Sequence, residues 1–97
     1  MATIDITRNH SIGKEKAKAA AETIAQKLKD KIQVSYRWVG DELTFDRSGA
    51  KGRIQVSDSS VRVEVDLGLM LRPMKGMIEE KVKKYLDESL SDDVSVA

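Results

Sequence analysis

The chain has 97 residues, 40% apolar and 34% charged, and its 17 Lys and Arg against 16 Asp and Glu leave a net charge of +1. Such a composition suits one globular domain with a modest core; no run approaches the roughly 18 apolar residues of a membrane span, and the near-neutral balance argues against a nucleic-acid binder that relies on a positive field. No cysteine is present, which excludes disulfides, thiolate catalysis and thiolate metal sites together.

The opening MATIDITRNHS has no basic segment leading into an apolar one, so the expected location is cytoplasmic. Thr3 to Arg8 alternates, with Ile4 and Ile6 on one side and Asp5 and Thr7 on the other, and predicts a short edge strand. Asn9 and His10 turn the chain. Ser11 is a candidate N-cap for a helix from about Ile12 to Lys31, with Glu15 in the first turn, where the helix dipole favours negative charge.

At 100° per residue, that helix gathers Ala17, Ala20, Ala21, Ile24, Ala25, Leu28 and Ile32 into one stripe bordered by lysines. Lysine-bordered stripes occur on helices docked to sheets and on helices lying on lipid. An alanine-rich stripe without Trp or Phe favours close packing on a sheet.

Gln33 to Val39 alternates again, Gly40-Asp41 marks a two-residue II′ turn, and Leu43 and Phe45 continue the inward face on the returning strand. Ser48 to Gly52, SGAKG, permits a bend or bulge; it lacks the spacing of a phosphate-binding loop and leads into a strand. Arg47, Lys51 and Arg53 form a small basic cluster there, read as a solvated edge. Ile54 and Val56 lie on the next strand. After a turn at Asp58, Ser59 and Ser60, Val61 to Leu71 alternates without interruption, which predicts one long extended segment with Leu67, Leu69 and Leu71 facing inward.

Pro73 ends that segment, and a last helix to about Leu90 follows with the stripe Met74, Ile78, Val82, Tyr85, Leu86 and Leu90. Glu79 with Lys83 and Glu80 with Lys84 are i,i+4 pairs. Residues 91–97, SDDVSVA, read as a flexible acidic tail beyond a single domain over 1–90. The predicted fold is α+β: one curved antiparallel sheet, elements in the order β-α-β-β-β-β-α, both helices on one face and a salted reverse in water. It is a reduced version of the helix-grip arrangement.

No residue pattern supports catalysis, a cofactor or a metal. His10 stands without convergent partners and reads as a loop or capping residue. Tyr36, Trp38 and Phe45 are candidates for an apolar pocket between the sheet and the last helix, against the competing reading that they are core; 97 residues leave little room for both. Met70, expected on the outer face of the long strand, and Met77, off the last helix's stripe, are a candidate interaction surface, against incidental exposure.

Three stretches, RNHSIG with its alanine-rich helix, YRWVGDELTFDRSGAKGRIQV and VRVEVDLGLMLRPMKGMIEEKV, together resemble the polyhydroxyalkanoic acid system family. The resemblance covers nearly the whole chain apart from the acidic tail. It implies a bacterial protein linked to polyester storage granules, whose partners are the granule surface or granule proteins, and it assigns no catalytic residue. The expectation is a non-enzymatic cytoplasmic protein forming a small homo-oligomer. The alternative is a small module that holds an acyl or hydroxyacyl group between the sheet and the C-terminal helix.

Overall fold

Alternation of branched apolar residues with charged ones builds five strands in the computed structural model, which describes residues 3–90. They are β1 (Ile4–Asn9), β2 (Ser35–Val39), β3 (Glu42–Arg47), β4 (Ala50–Val56) and β5 (Ser60–Leu67), joined by α1 (Lys14–Ile32) and followed by α2 (Lys75–Ser89). The sheet is antiparallel throughout, in the order β1-β5-β4-β3-β2. The fold is α+β in the predicted element order. The expected acidic tail lies outside the described residues.

The register stacks inward positions into rows across the sheet. One runs Tyr36, Phe45, Gly52, Val65, Ile4, and the next Trp38, Leu43, Ile54, Val63, Ile6. Since side chains alternate at every residue, the charged positions fall on the other face, apart from Arg8 and Arg47 at the ends of β1 and β3. Helix α1 packs on β2, β3 and β4, while α2 packs on β1 and against α1. All seven residues of the α1 stripe are buried, as are Ile78, Val82, Leu86 and Leu90 of the last helix's stripe, in one cluster with the inner face of the sheet. Met74 and Tyr85 are only partly buried against that cluster.

The N-terminal end of α1 differs from expectation. Gly13 at φ 86° occupies the N-cap, and Ser11 does not; the helix therefore starts at Lys14. At the other end Gln33 takes the left-handed conformation, φ 60° and ψ 40°, and its N–H donates to Lys29 O at 2.8 Å. SGAKG contains no bulge. Ser48-Gly49 forms the β3–β4 turn with Gly49 at φ 90°, and pairing runs unbroken from Arg47 with Ala50 to Glu42 with Gln55.

The long strand is shorter than its alternation predicts. β5 stops at Leu67, because its last partner on β4 is Ala50 and no ladder exists beyond it. Gly68 N–H then donates to Gly49 O at 2.8 Å, and the N–H groups of Leu71 and Arg72 both turn back to Gly68 O at 3.1 Å. Leu69 thus leaves the inward face, whereas Leu71, beyond the strand, stays partly buried against the core. A short 3₁₀ turn over Arg72–Met74, with Pro73 near its start, leads directly into α2.

Candidate interaction surface

The three clustered aromatics do not enclose a cavity beneath the last helix. They stand on β2 and β3, at the edge of the sheet far from β1, and so lie under α1. Phe45 is buried, 2% exposed, and its ring covers the bare backbone of Gly52. Tyr36 and Trp38 are half-buried against the core. Trp38 is held to α1 by two contacts: its Nε1–H donates to Glu22 Oε1 at 2.7 Å, and Lys18 Nζ sits 4.9 Å from the ring centre. An open groove of about 520 Å³ runs along this edge, lined by Lys18, Ala19, Glu22, Thr23, Gln26 and Trp38.

Lysines of α1 are committed at its N-terminal end. Lys14 and Lys18 both reach Asp41 in the β2–β3 turn, at 2.9 and 3.3 Å. Their hydrogen bonds hold the Asp41 carboxyl below its ordinary value and raise that of Lys14. Gly40, first in the turn, has φ 62°, as a II′ turn requires. Lys27 Nζ lies 5.0 Å from the ring centre of Tyr85 and so links α1 to α2.

The sheet's open face carries a chain of alternating charges. Glu42, Arg53, Glu64, Arg62 and Asp5 follow one another across β3, β4, β5 and β1, with contacts of 3.5, 2.9, 3.7 and 2.8 Å. Arg62 grips Asp5 with two nitrogens, which lowers the carboxyl and raises the guanidinium. The basic cluster around SGAKG is dispersed. Arg53 belongs to this chain, Lys51 stands between Asp46 and Asp66, and Arg47 turns to the other face.

His10 is a loop brace, as its isolation suggests. Nε2–H donates to Ser57 O at 3.1 Å while Nδ1 accepts from Ile12 N–H at 3.4 Å, an assignment that follows from one neighbour being a carbonyl and the other an N–H. Its own N–H donates to Ser59 O at 2.9 Å. Among the described residues no group of three or more His, Asp or Glu is placed to hold a metal, and no helix is long and apolar enough to cross a membrane.

Two large apolar residues stand almost wholly in water. Leu69 is 82% and Met70 90% exposed, in the turn that closes β5, and Met77 is 41% exposed on the first turns of α2. Met70 is therefore on a turn and not on the outer face of a strand, and it shares its end of the sheet with Met77. Leu69, which alternation assigns inward, is the member of this surface that the sequence pattern conceals; Gly68 and the length of β4 are the signals that reveal it. Leu71 escapes exposure by packing against Gly49.

The profile of the family described as "Putative polyhydroxyalkanoic acid system protein" matches residues 4–90. No curated protein and no solved structure matches the chain.

Proposed function

The chain belongs to the polyhydroxyalkanoic acid system family, and from that membership we propose that it is a non-enzymatic cytoplasmic protein that associates with polyhydroxyalkanoate granules or with the machinery that makes them. The observation that carries this reading is the family match, which spans β1 to the end of α2. Two features of the geometry support it. Carboxylates and guanidiniums of the open face are bound to one another across four strands, an arrangement suited to holding a sheet together. Leu69 and Met70 are meanwhile presented to solvent on a turn braced by Gly49, a contact feature with no role in the core. Purified protein mixed with isolated granules at low salt is expected in the granule pellet after centrifugation. Recovery in the supernatant alone would overturn the reading.

The groove beside Trp38 favours a second reading, a module that holds an acyl or hydroxyacyl group. Its wall is α1, so the site differs from one beneath the last helix. Trp38 is the chain's single tryptophan, and titration with a hydroxyacyl ligand is expected to change its emission if this reading holds. An unchanged spectrum at saturating ligand removes it.

A further inference from the structure

Leu69 and Met70 share their end of the molecule with an uneven set of charges. Gly68 N–H bonds Gly49 O, and Arg47 Nη1 donates to Ile32 O at 2.8 Å, so the turn after β5, the β3–β4 turn and the C-terminal end of α1 meet there. Helix α2 also begins there, straight after the Arg72–Met74 turn. The last turn of α1 brings Lys29 and Lys31, and the entry to α2 brings Arg72 and Lys75, all four exposed.

Pairing differs between the two ends. At the far end, Lys14 and Lys18 are tied to Asp41 and Arg8 to Asp87. Around Leu69 and Met70, neither Lys29 nor Lys31 forms an ion pair among the described residues. Arg72 uses only Nε, on Leu67 O at 3.5 Å, and Lys75 approaches Glu79 no closer than 3.8 Å. Asp30 adds a carboxylate on α1, and Asp46 and Asp66 at this end of the open face stand opposite Lys51.

We infer that this end docks on an anionic lipid interface, with Leu69 and Met70 entering the boundary between headgroups and acyl chains and the four cations meeting lipid phosphates. Apolar area and positive charge act together on such a surface. A neutral polymer surface would leave the cations without partners, and a nucleic acid would leave Leu69 and Met70 without a role. A second copy meeting this end through the same face would set like charges against each other. The inference deepens the granule reading, since it gives the contact surface and its chemistry, yet vesicles test it apart from granules.

The experiment is co-sedimentation with vesicles of mixed phosphatidylglycerol and phosphatidylcholine. The protein is expected to pellet with them at low salt and to stay in the supernatant with phosphatidylcholine alone. Raising salt from about 0.05 to about 0.5 M should weaken partitioning by about tenfold or more, because the Debye length shrinks. The Leu69→Ser/Met70→Ser and Lys31→Gln/Lys75→Gln pairs should each weaken it by about tenfold, while Lys16→Gln/Lys84→Gln, with the same loss of charge elsewhere, should retain most of it. Unchanged thermal melts establish that each variant is folded.

No pelleting with phosphatidylglycerol vesicles at low salt overturns the inference, as do equal pelleting with the neutral vesicles and an equal loss in the Lys16/Lys84 pair. So does a native dimer that Leu69→Ser/Met70→Ser turns into a monomer, which would show that a second copy covers the tip. Pelleting with granules but not with vesicles removes this inference and leaves the granule reading in place. Pelleting with vesicles but not with granules does the reverse.

Discussion

Phe45 on β3 lies directly across from Gly52 on β4, and its ring occupies the space a side chain at residue 52 would need. A Cβ on Gly52 would stand 2.5 Å from Phe45 Cζ and 2.5 Å from the carbonyl oxygen of Glu64. Glycine in a strand usually weakens it, but here the missing side chain lets an aromatic ring close over the backbone, as in aromatic rescue of strand glycines. The ring is buried as a result.

Gly52→Ala is therefore expected to destabilise the protein by roughly 1 to 3 kcal/mol, since one of the obstructing atoms, Glu64 O, is backbone and cannot give way. Chemical denaturation measures the loss. Phe45→Leu in the Gly52→Ala background should recover only part of it, because Glu64 O remains in place. Full recovery would show that the ring alone was the obstacle.

Gln33 is the one described non-glycine residue with positive φ, and it ends α1 in the position that glycine most often fills. Among the described residues its side chain finds no hydrogen-bond partner that would hold it there. Gln33→Gly should retain the N–H to Lys29 O bond and raise stability by up to about 1 kcal/mol, the cost of the left-handed conformation for an L residue outweighing glycine's greater freedom when unfolded. Thermal melting decides the sign, and a lowered midpoint would contradict the account.

What could be read in advance was whatever neighbours in sequence determine. The stripe from Ala17 to Ile32 is legible because helical spacing alone places those residues on one side, and Gly40-Asp41 is legible because a two-residue turn has few solutions. Leu69 is not legible in this way. It continues the alternation of Val61 to Leu67, and only the start of β4 at Ala50, a property of another strand, ends the ladder before reaching it. Gly13 and Ser11 are equally ambiguous as helix starts until the loop around His10 is fixed by Ser57 and Ser59, some fifty residues away. The aromatics at 36, 38 and 45 read correctly as inward, but which helix covers them depends on strand order. For the proposed contact surface the pattern supplied Met70 and Met77 and hid Leu69; the cations around them come from separate elements and meet only in the fold.

Asp5 and Asp41 give the protein a defined response to acid. Hydrogen bonding to Arg62 lowers Asp5, and hydrogen bonding to Lys14 and then Lys18 lowers Asp41, from an ordinary value of 3.8. A carboxylate that is more acidic folded than unfolded adds stability above its unfolded value, and the gain is lost as pH falls through the folded value. The melting temperature should thus hold from neutrality to about pH 5 and decline below about pH 4. Asp5→Asn and Asp41→Asn should each make that acid limb shallower, and molar salt should narrow the gap to wild type, since both pairs are exposed. On the alkaline side Lys14 is raised from 10.5 by its bond to Asp41. Its contribution is complete below 10.5 and fades as pH rises through the folded value, so the Asp41→Asn difference should shrink there too.

Arg47 and Arg8 occupy inward register positions at diagonal corners of the sheet, opposite Ala50 and Val61 respectively. Each leaves the sheet to hold the C-terminal part of one helix. Arg47 donates from Nη1 to Ile32 O and from Nε to Ser48 O at 2.9 Å, which gives a terminal carbonyl of α1 a charged partner where the helix dipole is negative. Arg8 pairs with Asp87 at 3.1 Å, near the end of α2, with the carboxylate side chain 64% exposed. The two contacts should differ in worth. Arg47→Ala leaves a partly buried carbonyl without that donor and should cost about 1 to 2 kcal/mol. Arg8→Ala removes a surface pair and should cost about 0 to 1 kcal/mol. Hydrogen exchange separates the effects further: Arg47→Ala should speed exchange in the last turn of α1, at the N–H groups of Lys31 to Gln33, and leave α2 unchanged. Equal losses in the two variants, or faster exchange confined to α2 in both, would show that the carbonyl at Ile32 does not depend on Arg47.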